Sequence, residues 1–124
     1  MKDDLIINNQ KIEDLIYEID GKQVLLDSDL ARLYHCKNGT KEINQAVKNN
    51  IEKFPERFSR KLTRDEFEGL RSKLLTASYN TKSRSTPRIF TEQGVMMLAT
   101  ILKTNVAVET TIRIMDAFVW MKKY

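Results

Sequence analysis

The chain has 124 residues, 41% of them hydrophobic and 31% charged, with a net charge of +4. That length suits a single domain around one core, and no run approaches the roughly 18–20 apolar residues of a membrane span. One cysteine excludes an internal disulfide, and the one histidine beside it leaves no residues to complete a zinc site.

The charge is unevenly spread. Residues 1–29 carry three lysines against eight acids, whereas residues 30–124 carry 18 basic against nine acidic residues. Between Glu68 and Glu92 there is no acid, while Arg71, Lys73, Lys82, Arg84 and Arg88 all add positive charge. Such asymmetry suits a surface that meets a polyanion. The short Leu5-Ile6-Ile7 patch ends at Asn8, Asn9 and Gln10 without forming an export signal, which points to the cytoplasm.

Residues 1–10 read as a flexible arm, with the domain spanning 11–124. Asp20-Gly21 between two apolar-rich runs, 15–19 and 22–26, signals a hairpin, because both central turn positions need positive φ. Asp27 is expected to cap a helix that reaches about His35, with Leu30, Ala31, Leu33 and Tyr34 on its buried side and Asp29 in its first turn. Asn38-Gly39 then breaks the chain. The His35-Cys36 pair reads as an ordinary turn or core pair.

Thr40 can cap the next helix, expected over 40–53. At about 100° per residue, Val47, Ile51 and Phe54 fall within about 80° of Ile43, and Ala46 and Asn50 lie at the margin. Lys41, Gln45, Lys48 and Glu52 take the opposite face, flanked by Asn44 and Asn49. Two short helices with a tight break, the second bearing a donor-rich outer face, form the pattern of a helix-turn-helix.

Phe54-Pro55 ends that helix. A short strand is expected over 57–62, and Thr63 with Glu66 forms a capping box. The box opens a helix to about Leu75, with Phe67, Leu70 and Leu74 inward. Residues 76–86 are small, polar and basic, and read as a wing-like loop. A strand resumes at Pro87-Arg88-Ile89-Phe90. Thr91 caps a helix containing Val95, Met96, Leu98, Ala99, Ile101 and Leu102, apolar nearly all round and so expected at the centre of the core.

The last helix should run from Asn105 to about Tyr124. It carries two apolar seams. Val108, Ile112, Met115 and Val119 form one, and Ala107, Ile114, Phe118 and Met121 form the other. One can face the core while the other meets a partner. We assign the partner side to Ile114, Phe118, Trp120 and Met121.

Enzymatic chemistry finds no support in these residues. Asp27 and Asp29 are better explained as caps than as an acid–base pair. The glycines are too scattered for a phosphate-cradling loop. Nucleic-acid binding fits better. Asn44, Gln45 and Asn49 can pair with adenine edges, and Lys41 and Lys48 can reach guanine or phosphate. Lys82, Arg84 and Arg88 offer phosphate or minor-groove contacts, and Arg60, Lys61, Arg71 and Lys73 offer backbone contacts.

Five runs carry a family resemblance: VLLDSDLARLYH at 24–35, INQAVKNNIEKFPERF at 43–58, LTRDEF at 62–67, FTEQGVMMLATIL at 90–102 and IRIMDAFVWM at 112–121. Together they resemble the ORF-six-N domain family of phage and prophage proteins, including antirepressors, over roughly 12–123. That family is similar to the KilA-N and Bro-N domains, which are regarded as DNA-binding. The resemblance implies a DNA-binding module in a phage or prophage setting, without enzymatic activity.

The expected fold is therefore α+β: a mainly helical single domain with small β-hairpins and a helix-turn-helix or winged-helix-like core. The expected function is DNA binding by an antirepressor-like transcriptional regulator, needing no cofactor or metal. The alternative is a protein-interaction module that sequesters a phage repressor without touching DNA. The expected partners are double-stranded DNA, a second copy through the C-terminal helix and a phage repressor, but not a membrane.

Overall fold

The structure is a computed structural model of the chain, and it describes residues 6–7, 10–70 and 85–123. Two short strands, β1 (Ile6–Ile7) and β2 (Gln10–Lys11), pair antiparallel. They fall within or beside the segment expected to be a flexible arm, the rest of which lies outside the described residues. One helical turn, Ile12–Leu15, leads into the main sheet.

That sheet has four strands in the order β3-β4-β6-β5, all antiparallel. β3 (Tyr17–Ile19) and β4 (Lys22–Leu26) form the hairpin expected at Asp20-Gly21, whose φ values of 54° and 77° lie in the left-handed region. β5 (Ser59–Lys61) and β6 (Arg88–Thr91) complete it, with β6 inserted beside β4. The strands expected as separate small hairpins thus merge into one sheet. No local pattern encodes the pairing of β4 with β6, because it spans more than 60 residues.

Side-chain alternation divides the interior into two clusters. Val24, Leu26, Ile19 and Ile89 pack with Leu62 and Phe67 on one face. Leu25 and Phe90 point to the other face and join the larger core with Leu30, Ile43, Val47, Val95, Leu98, Ile114 and Phe118. Four helices cover that second face: α1 (Asp27–Leu33), α2 (Thr40–Asn49), α4 (Glu92–Leu102) and α5 (Asn105–Lys123). The short α3 (Arg64–Gly69) opens on the expected capping box and packs through Phe67 in the smaller cluster. Its expected continuation, with Leu74, lies outside the described residues.

Local signals set most helix ends. Thr63 Oγ1 accepts from Glu66 N at 3.1 Å, and Glu66 Oε1 accepts from Thr63 N at 2.9 Å. Thr91 Oγ1 accepts from Gly94 N to cap α4. α1 ends in a paired-carbonyl motif: Cys36 N donates to Ala31 O and His35 N to Arg32 O, with His35 at φ 56°. Tyr34 then ties α1 to α5, its hydroxyl 2.7 Å from Thr111 Oγ1, and burial pushes its phenol up to about 12.

Several expectations are corrected. Asp27 is the first residue of α1 rather than its cap, and its carboxylate is buried. α2 ends at Asn49, and a tighter turn at Ile51–Lys53 follows. The change of pitch swings Ile51 out of the apolar face, leaving it 56% exposed. α4 is less central than expected, because Met96 faces outward. On α5 the two seams are exchanged. Ile114 and Phe118, assigned to a partner, are sealed in the core, while Val108, Ile112 and Val119 lie outside.

Candidate nucleic-acid interface

α2 presents the expected outer face. Lys41, Gln45, Lys48 and Asn49 are all exposed, and Ile43 and Val47 anchor the opposite side in the core. Gln45 Nε2 donates to Asn49 Oδ1 at 2.9 Å, so the two amides form a linked pair one turn apart. Neither Lys41 nor Lys48 pairs with a carboxylate among the described residues.

Asn44 does something different. Its amide turns inward, donating to Asp27 Oδ2 at 2.9 Å and to Thr40 O at 3.2 Å. Asp27 also accepts from Ser28 N at 2.8 Å and from Arg88 N at 3.1 Å. One carboxylate thereby holds α1, α2 and β6 together. Burial raises its pKa, against the opposing pull of those hydrogen bonds from Asn44, Arg88 and Ser28 and the Arg88 charge. The sequence pattern points Asn44 at a base edge, but its hydrogen bonds turn it inward and make it a brace.

A shallow groove runs between α2 and the end of the sheet, lined by Asn44, Val47, Lys48, Ile51, Lys61 and Arg88. Lys61 and Arg88 are direct cross-strand partners. Opposed like charges on neighbouring strands destabilise a sheet, and here a third cation, Lys48, faces the same groove. Arg88 is half-buried, with Nη1 donating to Ser59 Oγ at 3.2 Å. Burial lowers its pKa, while the Asp27 carboxylate raises it.

Arg60 is not part of this groove. Its neighbour Lys61 faces α2, and strand alternation turns Arg60 to the other side of the sheet. There its guanidinium makes a two-pronged ion pair with Glu66 at 2.8 and 2.9 Å. The pair, with the Thr63 amide, holds the Glu66 carboxyl down at about 2. The cation that joins Arg88 and Lys48 is therefore Lys61, as period-two alternation in 59–61 implies. Lys82 and Arg84, and with them Arg71 and Lys73, lie outside the described residues. A continuous helical wheel carries Ile51 into the core, whereas the tighter turn at Ile51–Lys53 brings it to the surface.

The partner-face assignment divides. Trp120 is 49% exposed and Met121 is half-buried, packed against the core, but Ile114 and Phe118 are buried and present no surface. Cys36 is half-buried, and burial with the nearby Glu42 pushes its thiol up to about 11, which keeps it protonated and unreactive at neutral pH. Among the described residues, no helix is long and apolar enough to cross a membrane, and no cluster of His, Cys, Asp or Glu could hold a metal ion.

The family model of the ORF6N domain matches residues 14–101. The chain belongs to the ORF6N family. The match spans β3 to α4 and so includes α1, α2 and the cationic groove, while α5 follows it. It bears out the resemblance carried by the LDSDLARLY and FTEQG runs. The ORF6N family is phage-associated and of antirepressor type, and it is not a known enzyme family. No curated protein and no solved structure matches the chain.

Proposed function

We propose that the domain, residues 11–124, binds double-stranded DNA in the cytoplasm as part of a phage or prophage transcriptional regulator. In this reading α1 and α2 act as a helix-turn-helix, with α2 in the major groove. The observation that carries it is the exposed row of Lys41, Gln45, Lys48 and Asn49 beside a groove holding Lys61 and Arg88. Amides supply adenine-edge recognition and ammonium groups supply phosphate or guanine contacts. The unfavourable juxtaposition of Lys61 and Arg88 is relieved when a phosphate lies between them. Ile51, at the groove's edge, suits an apolar contact with a thymine methyl group. Lys82 and Arg84, which precede Arg88 in the chain, add further phosphate contacts.

The test is duplex selection followed by fluorescence anisotropy across a salt series. Binding should weaken steeply with salt. Lys48→Ala or Lys61→Ala should weaken all sequences alike and reduce the salt slope by about one. Gln45→Ala should cost about 1–3 kcal/mol of sequence preference. Affinity that stays level from low to moderate salt would contradict the proposal.

A further inference from the structure

The amides on and beside α2 do not share one task. Asn44 Nδ2 donates to Asp27 Oδ2 and Thr40 O, and Asn50 Nδ2 donates to Ala46 O at 2.9 Å, so both turn back into the protein. Asn49 is exposed, but its oxygen is engaged by Gln45 Nε2. That bond uses one Nε2 hydrogen of Gln45. It leaves the other hydrogen and Oε1 along one edge of an exposed amide.

Position singles out the same residue. Ile43 and Val47, 0% and 1% exposed, fix which side of α2 points inward. At about 100° per residue, Gln45 lies about 180° from the mean of those two, with Lys41 and Lys48 to one side of it and Asn49 to the other. In a helix that enters the major groove, the centre of the outward face meets base edges and its flanks meet phosphates. Adenine offers a donor at N6 beside an acceptor at N7, whereas guanine offers two acceptors. An amide edge with one donor and one acceptor matches adenine and sets oxygen against oxygen on guanine. We propose that Gln45 reads a single adenine, and that Asn49 is a positioning residue that acts through Gln45. This rests on the DNA-binding reading above and adds which base α2 recognises and which side chain recognises it.

The Gln45–Asn49 bond, 2.9 Å long, spans one helical turn and restrains the free end of a long side chain. Restraint before binding lowers the entropy lost when Gln45 settles on a base. It also fixes which way the amide faces, because turning the amide over would set Gln45 Oε1 against Asn49 Oδ1, two acceptors. The backbone beneath is held as well, since Asn44, one residue earlier, is braced on Asp27. Asn49 therefore influences base preference without touching a base.

Selection of random duplexes with the whole chain, followed by anisotropy on the selected duplex, tests this. Each A·T pair is replaced by G·C, and each adenine by 7-deazaadenine, which removes N7 and keeps the base pair. At one position the first change should weaken wild-type binding at least about fivefold, and the second at least about twofold. Gln45→Ala should be indifferent to both changes there. Asn49→Ala should keep the same preferred base and lower that preference at least about twofold. Its affinity for random duplexes and its salt slope should stay as in the wild type, which a loss of helix structure would not allow. In the Gln45→Ala background, Asn49→Ala should add nothing. Both side chains are exposed, so circular dichroism should not change. Salt-dependent binding with no adenine that depends on Gln45, or a G·C preference that does, overturns the proposal and leaves the DNA-binding reading standing. Additive losses at Gln45 and Asn49 overturn the positioning role. Failure to bind any duplex overturns both the proposal and the reading beneath it.

Discussion

Gly94 has no room for a side chain. A Cβ placed there would sit 2.0 Å from the carbonyl oxygen of Phe58, a backbone atom that cannot swing away. The same oxygen accepts from Thr91 N at 3.0 Å and Thr91 Oγ1 at 3.2 Å, so the start of α4 is fastened to the segment entering β5. Gly94→Ala should therefore cost about 3 kcal/mol or more by urea denaturation, the penalty of forced overpacking. Gly69→Ala, where the space is open, is the matched control and should be neutral or slightly stabilising. A loss of under about 1 kcal/mol at Gly94 would contradict the close approach. The FTEQG run is visible in the sequence, but the reason for its glycine is not. The oxygen it abuts belongs to a residue 36 positions earlier. Asn44 shows the same limit: a helical wheel puts it at the border of the polar face, and only Asp27, 17 residues away, decides that it turns inward.

At the level of elements, what was legible was what is local. The Asp20-Gly21 turn, the Thr63 box and the Thr91 cap each depend on residues within four positions, and each forms as expected. The α5 seams were not separable, because both are equally apolar and only docking onto Leu33, Tyr34 and the helical turn at 12–15 selects the inner one. The ion pair joining β5 to α3 gives a test at this scale. Glu66→Gln removes half of the Arg60 fork and weakens the capping box, and should cost about 1 kcal/mol, the upper range for a partly exposed pair. Because the folded-state pKa is depressed to about 2, the contribution is complete above the ordinary value of 4.5 and is lost as pH falls toward 2. Stability curves of the two proteins should therefore converge in acid; a gap that stays constant down to pH 2 would show that the carboxylate charge contributes nothing.

For the molecule as a whole, two buried carboxylates set the opposite trend. Asp27 and Asp29 both have raised pKa values, chiefly because burial disfavours their charge; Arg32 offsets this for Asp29 through an ion pair. With a folded-state pKa above the unfolded one, each contributes stability that is complete below the ordinary value of 3.8 and is lost as pH rises through the raised value. Acidification through the raised values should hold or increase the urea midpoint, before loss of the Arg60–Glu66 pair reverses the gain as pH falls toward 2. A midpoint that declines steadily from neutrality would show that Asp27 and Asp29 are not desolvated as their burial indicates.

The three-way junction at Asp27 also limits what the protein can accept. The amide row on α2 and the cationic strand end at Arg88 are clamped to a single oxygen, which leaves little play between them. Their separation behaves as a fixed gauge. A molecule that bridges both must already have the matching width or must itself bend to it, so discrimination can arise from the stiffness of the bound partner as well as from its chemical groups.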